Sequence, residues 1–271
     1  MAKVAFWSMD KAMSGNTLSA IAISTVMGIN HKVTSILIQS NFGSKKMESS
    51  FTPYDELVAN GTFESPNIGI SALSRLITSN KLTPDFIQNY AKPVLKNRLD
   101  ILYGINSKDV DLYSDTMKNL TYLVRKADEI YDLVFLDLPK TDKDESINNV
   151  LLDADLIICM LNQDVVKLTE FFKEVENNEI LKDKSKLFVI GDYDDKGKYN
   201  VYNIASKFKI KEPIYAIHHN MIFADSCNDG DVIDFFYKNA NADKADYNGK
   251  FITSASELAQ KILDVTKVKE N

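Results

Sequence analysis

Cysteine and histidine are both scarce in this sequence. Among 271 residues there are two cysteines, Cys159 in an apolar run and Cys227 in a polar stretch, which argues against a disulfide framework. The three histidines, His31, His218 and His219, are not spaced with the cysteines as zinc ligands are. We therefore expect no zinc site, and the cysteine content favours a reducing cytoplasm.

The sequence also lacks a long apolar run. Its longest, residues 156–161, has the length of a strand and is far shorter than the roughly 20 residues that cross a bilayer. The first residues do not combine a basic segment with a long apolar one, as a signal peptide would. The apolar C-terminal segment has no aromatic end flanked by Lys or Arg. These absences predict a cytoplasmic protein with no stable membrane insertion.

Acidic residues outnumber basic ones, and the formal net charge is −6. This balance argues against a dedicated nucleic-acid binder. Residues 182–211 are the local exception, with eight lysines against four aspartates. A solvated lysine-rich surface is the favoured interpretation of this stretch, and a patch that contacts phosphates is the alternative. DNA is therefore a candidate partner but not the favoured one.

Apolar runs of strand length alternate with amphipathic segments of helix length along the whole chain. The runs predict strands at residues 4–7, 33–39, 99–103, 133–138, 156–161, 187–190 and 214–217. Strands that are apolar throughout are typical of a parallel sheet covered on both faces. We predict an α/β fold with an open, mostly parallel sheet of about six to eight strands and helices on both faces.

The segments between the strands predict helices and one irregular connection. A helix is predicted over residues 17–28 with Gly28 as its C-cap, and a single amphipathic helix over residues 115–131. Residues 40–66 contain three breakers and predict an irregular connection. No repeat or low-complexity linker divides the chain, so residues 1–271 are predicted to form one domain.

Polar residues follow four of the predicted strands, where ligands bind to open parallel sheets. They are the small-residue loop 11–17, residues 39–41, Asp137, and residues 191–194. A phosphate-binding loop needs backbone amides for the phosphates, a hydroxyl on Mg²⁺ and an acidic residue at a neighbouring strand end. Residues 15–17 and Asp137 supply these groups in the required order.

The same features resemble the ParA/MinD family of P-loop ATPases. The family's loop K-G-G-V-G-K-T-T corresponds to residues 11–18, which read K-A-M-S-G-N-T-L. Residues 131–139, Y-D-L-V-F-L-D-L-P, resemble the family's second motif Y-D-x-x-x-x-D-x-P closely. Residues 152–158 and 213–236 resemble the following strand and the terminal portion of the family. The resemblance thus spans nearly the whole chain.

The resemblance implies a site for ATP and Mg²⁺. It gives a nucleotide-binding role to Lys11, Ala12, Met13, Ser14, Gly15, Asn16, Thr17, Leu18 and Asp192. It gives a catalytic role to Lys11 and Gln39, and a metal-binding role to Thr17 and Asp137. Lys11 matches the family's signature lysine, which in a sandwich dimer reaches the phosphates bound by the other copy. A homodimer is therefore expected.

The chain departs from the family pattern at three strand ends. Asn16 replaces the P-loop lysine, and an amide can hydrogen-bond a phosphate but cannot neutralise its charge. Gln39 replaces an aspartate that supports water attack, and Gly191 replaces an asparagine that contacts adenine. Ala12 and Met13 replace glycines and restrict the loop backbone. These departures leave two expected outcomes, weak binding of ATP and Mg²⁺ or loss of nucleotide binding, and efficient hydrolysis is expected less than either.

Three functions are compatible with this pattern. The favoured one is a ParA/MinD-like spatial organiser with an eroded ATP site, which positions DNA or a conjugation, pilus or secretion assembly through a protein partner. The pilus-localising TadZ/CpaE branch tolerates departures in this loop, so the chain resembles that branch more than it resembles a DNA-partition motor. The second is a slow ATPase in plasmid or chromosome partition, and the third is a pseudo-ATPase scaffold that binds no nucleotide.

Overall fold

The predicted strands come together in one sheet. The computed structural model describes residues 1–9, 15–41, 44, 46–62, 65, 67–105, 110–139 and 145–270. Within these residues the strands are β1 (Ala2–Trp7), β2 (Ser35–Gln39), β3 (Lys92–Leu95), β4 (Leu99–Leu102), β5 (Leu133–Asp137), β6 (Leu156–Leu161), β7 (Lys186–Tyr193) and β8 (Ile214–His218). Their order is β3-β4-β2-β5-β1-β6-β7-β8, and every neighbouring pair is parallel except β3 with β4. The predicted open, mostly parallel sheet is confirmed.

Helices cover both faces of this sheet. They are α1 (Asn16–Asn30), α2 (Lys46–Phe51), α3 (Tyr54–Ala59), α4 (Gly69–Thr78), α5 (Pro84–Tyr90), α6 (Val110–Lys118), α7 (Leu120–Asp128), α8 (Glu145–Asp153), α9 (Val165–Asn177), α10 (Glu179–Asp183), α11 (Val201–Phe208), α12 (Met221–Asp229), α13 (Val232–Lys238) and α14 (Tyr247–Thr266). None of the helices within the described residues is both long and apolar enough to cross a membrane.

Side chains along each strand alternate between two cores, one on each face of the sheet. On β1, Val4 and Phe6 enter the core that α1, α12, α13 and α14 cover. Ala5 and Trp7 enter the core on the other face, which α4 to α11 cover. Because both faces are buried, the central strands contain apolar residues at nearly every position, which is the pattern read from the sequence.

Helix α1 begins one residue earlier and ends two residues later than the sequence predicts, and Gly28 is not its C-cap. Gly28 lies inside the helix, where a Cβ would be 3.0 Å from Leu95 Cδ1 and 3.2 Å from Leu99 Cβ. The glycine therefore permits close packing of α1 against the β3–β4 edge. The helix ends at Asn30, and the next amide, that of His31, donates to the Met27 carbonyl.

The predicted irregular connection over residues 40–66 is wrong, because it contains the short helices α2 and α3. Each has six residues, too few to be stable by local interactions alone. Helix α2 instead packs against α12, where Lys46 Nζ donates to Asn228 Oδ1 at 2.6 Å. These partners are far apart in sequence, so local periodicity could not reveal the helix.

Two further differences lie on the other face and at the edge of the sheet. The helix predicted over residues 115–131 is two helices, α6 and α7, separated at Asn119. Strand β3 was not predicted, because its Pro93 is unfavourable inside a sheet. Pro93 is tolerated since β3 is the edge strand, joined to β4 by a tight turn in which Asn97 has a φ of 58°.

We expect Gly69→Ala to destabilise the protein strongly. Gly69 has a φ of 59°, and a Cβ there would lie 2.3 Å from the Tyr103 carbonyl oxygen. The left-handed backbone and the clash together should lower the free energy of unfolding by about 3 kcal/mol. Gly61→Ala is the matched control, because Gly61 has a φ of 61° but no described atom within 4 Å of its added Cβ.

For Gly61→Ala we expect a loss of about 1 kcal/mol, from the backbone conformation alone. Urea denaturation of both variants measures the difference. Equal losses in the two variants would contradict the importance of the contact with Tyr103.

Candidate functional site

The candidate site lies at the carboxyl ends of β1, β2 and β5, next to the start of α1. In the sheet register, Asp137 at the end of β5 is paired with Phe6 on one side and with Gln39 on the other. Helix α1 follows β1 and begins at Asn16. Its free backbone N–H groups therefore point toward the strand ends, which is the local geometry that favours an anion.

The Asp137 carboxylate is fully buried and is surrounded by side-chain donors. Its Oδ1 accepts a hydrogen bond from Asn16 Nδ2 at 2.7 Å. Its Oδ2 accepts from Thr17 Oγ1 at 2.8 Å and from Asn41 Nδ2 at 2.9 Å. The backbone carbonyl of Asp137 accepts from Ser40 Oγ at 2.7 Å. This group of four donors around Asp137 (Asn16, Thr17, Ser40 and Asn41) is called the Asp137 collar below.

Asn16 occupies the position of the P-loop lysine but its side chain turns toward the sheet. It is 2% exposed, and Nδ2 also approaches the carbonyl oxygens of Phe6 at 3.4 Å and Leu138 at 3.3 Å. Its Oδ1 is buried without a hydrogen-bond partner among the described residues. The amide therefore ties α1 to β5 and adds no positive charge to the site.

Gln39 is buried at the end of β2, and its side chain bonds to the loop that follows. Nε2 donates to the Ser44 carbonyl at 2.7 Å, and the side-chain carbons lie against Gly104, where a Cβ would be 3.4 Å from Gln39 Cγ. Its Oε1 is buried and has no partner within the described part of the chain. In this arrangement the amide supports the start of α2, and its catalytic role stays a prediction.

Gly15 brings the start of α1 against the end of β7. Its φ is 68°, and a Cβ there would lie 3.3 Å from the backbone nitrogen of Asp192. Asp192 itself has a φ of 53°. Two residues with left-handed backbone conformations are thus adjacent, at the place where the sequence predicts that residues 15–18 and Asp192 bind a nucleotide.

A cavity of about 310 Å³ opens beside this contact. It is lined by Gly15, Asn16, Thr17, Leu18, Ser19, Asp192, Ile217, His218, His219, Asn220, Met221, Phe223, Ala224 and Phe251. The predicted nucleotide-binding residues that the structure describes therefore share one cavity. Its volume and its mixture of apolar and polar walls are typical of small-molecule sites.

Two polar side chains of the cavity, Asn220 and His219, are engaged within the protein, whereas the buried His218 Nδ1 has no hydrogen-bond partner among the described residues. Asn220 accepts from the Phe223 amide through Oδ1 and donates to Asn248 through Nδ2. His219 Nδ1 lies 2.5 Å from Asp192 Oδ1 at the cavity mouth. Burial lowers the pKa of His218 and favours its neutral form. The inner wall of the cavity is therefore mostly apolar, and its polar side chains are uncharged.

A second, more acidic cleft of about 530 Å³ adjoins the cavity and shares Asp192, His218 and His219 with it. In this cleft Lys250 Nζ donates to Asp195 Oδ2 at 2.5 Å, and this hydrogen bond lowers the pKa of the Asp195 carboxyl. No group of three His, Cys, Asp or Glu residues within the described part of the chain could hold a metal ion.

The lysines of the 182–211 stretch do not all face solvent freely. Lys184 Nζ donates to the carbonyl of Ala154, just after α8, and Lys186 Nζ donates to the carbonyl of Leu181 in α10. Both lysines therefore stabilise the C-terminal ends of helices. Lys196, Lys198 and Lys207 are exposed. These three lie in the loop after β7 and on α11, and Lys182, Lys209 and Lys211 are exposed as well.

Sequence reasoning missed the far wall of the cavity. Met221 and Phe251 lie on α12 and α14, more than two hundred residues after the loop they face. No motif marks them, and only their apolar character could have been noticed. Asn41 belongs to a polar strand end that the sequence did single out, but its hydrogen bond to Asp137 could not be foreseen. Lys11, Ala12, Met13 and Ser14 lie outside the described residues, so their roles stay predictions.

Known structures share this architecture. A ParA family ATPase from Chlorobium tepidum TLS aligns with a TM-score of 0.70 and 13% identity, over 96% of this chain and 97% of that one. MinD of Pyrococcus horikoshii OT3 in complex with Mg-ADP aligns with a TM-score of 0.67 and 14% identity, over 98% and 99%. A putative plasmid partition protein from Borrelia burgdorferi B31 bound to AMPPNP aligns with a TM-score of 0.63 and 17% identity, over 96% and 99%.

The sequence matches no protein-family model, and a search of curated proteins finds no significant match. At these low identities the structural alignments establish the architecture and leave the chemistry to the residues of this chain. The chain has the fold of the ParA and MinD ATPases.

We expect Asn16→Ala to destabilise the protein because it leaves Asp137 Oδ1 buried without its closest donor. The loss in free energy of unfolding should be about 2 kcal/mol, the usual cost of an unsatisfied buried group. Asn30→Ala is the matched control at the other end of α1, where Nδ2 donates to Ser256 Oγ in an exposed position. The control should lose less than about 0.5 kcal/mol. Thermal and urea unfolding measure both, and equal losses would contradict the role of Asn16 in the Asp137 collar.

Proposed function

We propose that this protein is a ParA/MinD-like spatial organiser that binds a nucleotide weakly and acts through protein partners. The observation that carries the proposal is the position of Thr17. Its hydroxyl donates to the Asp137 carboxylate and also borders the apolar cavity beside the start of α1. One residue thus connects a helix N-terminus suited to phosphates with a cavity suited to a base.

The apolar wall supports binding of a nucleotide base. Phe223 and Phe251 line the cavity with their ring centroids 4.5 Å apart, and Met221 borders it from the start of α12. Apolar and aromatic walls bind a base through dispersion and burial. The phosphates would then extend toward the N–H groups at the start of α1.

ATP with Mg²⁺ is the ligand that we propose. Two of the structures with this fold, MinD with Mg-ADP and the partition protein with AMPPNP, contain adenine nucleotides or an analogue. Thr17 fits a cation because its hydroxyl hydrogen is used on Asp137 while its oxygen keeps lone pairs. A bound Mg²⁺ would neutralise phosphate charge, which matters here because Asn16 supplies none.

The same geometry argues for slow or absent hydrolysis. Asn16 and Gln39 are both neutral amides that bond to protein groups on the sheet side and in the loop after β2. The catalytic role predicted for Gln39 therefore requires its side chain to leave the Ser44 carbonyl. The role predicted for Lys11 requires a dimer, because the resemblance places this lysine at the phosphates bound by the other copy. We propose a homodimer that uses nucleotide binding as its signal, as in the TadZ/CpaE style of pilus or secretion positioning.

Two alternatives remain in competition with this proposal. A slow partition ATPase is favoured by the exposed lysines beside α11, including Lys196, Lys198 and Lys207, which could contact DNA phosphates. A nucleotide-free scaffold is favoured by the hydrogen bonds within the Asp137 collar, since they complete the site without a ligand.

We expect the protein to bind a fluorescent ATP analogue in the presence of Mg²⁺, and Thr17→Val to weaken that binding. Loss of the hydroxyl removes the contact to the cation and should reduce affinity by about tenfold or more. Thr25→Val is the matched control in the same helix, because Thr25 Oγ1 is buried and has no hydrogen-bond partner in the described structure. A fluorescence titration measures the affinity, and melting temperatures show that both variants fold. Absence of binding at millimolar nucleotide would favour the nucleotide-free scaffold.

We expect Asn16→Lys to increase nucleotide affinity. A lysine restores a charge-assisted contact to phosphate, and the gain should be about tenfold to a hundredfold. Isothermal titration with ATP and Mg²⁺ measures it, and Asn30→Lys controls for the added charge at the far end of α1. An affinity of Asn16→Lys no greater than that of Asn30→Lys would show that loss of the lysine charge is not what limits binding.

A further inference from the structure

The Asp137 carboxylate has little capacity left for a metal ion. A carboxylate offers about four acceptor positions, and three are used by Asn16, Thr17 and Asn41 at 2.7, 2.8 and 2.9 Å. The side chain is 0% exposed, so solvent does not reach it. Among the described residues, the donors to the Asp137 carboxylate are therefore neutral groups of the protein itself.

The hydrogen bond from Asn41 occupies one particular carboxylate oxygen of Asp137. Its Nδ2 binds Oδ2, the same oxygen that accepts the Thr17 hydroxyl. A cation held by the Thr17 oxygen would present its bound waters to this neighbouring carboxylate oxygen. Those waters are hydrogen-bond donors, as the Asn41 amide is, and so they compete with Asn41 for one acceptor.

The amide has an advantage over a water in this competition. Asn41 follows β2 directly, and the adjacent Ser40 is fixed on Asp137 by its backbone N–H at 3.2 Å and its hydroxyl at 2.7 Å. The backbone that carries the Asn41 side chain is therefore already fixed next to Asp137 by two hydrogen bonds of Ser40 to the Asp137 backbone carbonyl. A water would have to be immobilised there, at an entropic cost.

We propose that Asn41 is a positioning residue that takes the place, on Asp137, of a water from the shell of a divalent cation. Asp137 Oδ2 then gives the cation little support, and Thr17 holds it. Mg²⁺ therefore increases the nucleotide affinity of this site less than it would if a cation-bound water could reach Asp137 Oδ2. This inference rests on the nucleotide binding proposed above, and it sets the metal dependence of that binding.

The test compares nucleotide affinity with and without Mg²⁺ in the wild type and in Asn41→Ala. The probe is a fluorescent ADP analogue, titrated once in MgCl₂ and once in EDTA. In Asn41→Ala a metal-bound water can reach Oδ2, so the ratio of Kd in EDTA to Kd in MgCl₂ should rise by about fivefold or more. The Kd in EDTA should stay within about twofold of the wild type, because the Asn41 amide bonds to Asp137 and Asn41 is not among the residues that line the cavity.

Asn162→Ala is the matched control. Asn162 follows β6 at the same end of the sheet, but its Oδ1 accepts from the Asp164 amide instead of contacting Asp137. Its ratio should equal that of the wild type. If Asn41→Ala melts at too low a temperature for titration, Asn41→Ser replaces it, since the shorter side chain loses the reach of the amide and should raise the ratio equally.

The outcomes separate this inference from the proposed function. An unchanged ratio in a folded Asn41 variant that still binds nucleotide would overturn the role of Asn41 while leaving nucleotide binding intact. A Kd that worsens equally in MgCl₂ and EDTA would show a merely structural role and would also overturn it. Absence of binding by all variants in both buffers would overturn the proposed function and this inference together.

Discussion

The buried carboxylate of Asp137 is the constraint on which the candidate site depends. It lies where β5, β1 and β2 end, and a buried charge at this point must be hydrogen-bonded or it would destabilise the fold by several kcal/mol. The Asp137 collar meets this requirement from two directions, from α1 through Asn16 and Thr17 and from the end of β2 through Ser40 and Asn41. The hydrogen bonds to Asp137 thus fix the relative positions of α1, the residues after β2 and the ends of β2 and β5.

This solution separates the stability of the site from the presence of a ligand. With a lysine at position 16, the chain would carry a positive charge free to move between Asp137 and a phosphate. Asn16 has a short neutral side chain, and its Nδ2 lies 2.7 Å from Asp137. Among the described residues, the Asp137 collar is therefore held together by hydrogen bonds within the protein, and Asn16 adds no positive charge to it.

The remaining walls of the site come from the C-terminal third of the chain. Helix α12 borders the cavity through Met221 and also packs against α2, where Lys46 donates to Asn228. Gln39 supports the segment before α2 through the Ser44 carbonyl. The end of β2 is therefore connected to the cavity by two routes, through the Asp137 collar and through α2 and α12.

The sequence by itself determined the sheet and the approximate place of the site. Apolar runs on buried parallel strands are a local signal, and the polar residues at their ends, Thr17 and Asp137 among them, meet because parallel strands all end on one side. The short helix α2, the edge strand β3 and the inner position of Gly28 were missed, since each depends on partners distant in the chain. Only the tertiary structure decided that Asn16 faces Asp137, that Asn41 completes the collar and that Phe251 closes the cavity, because side-chain direction is set by packing between elements and not by local periodicity.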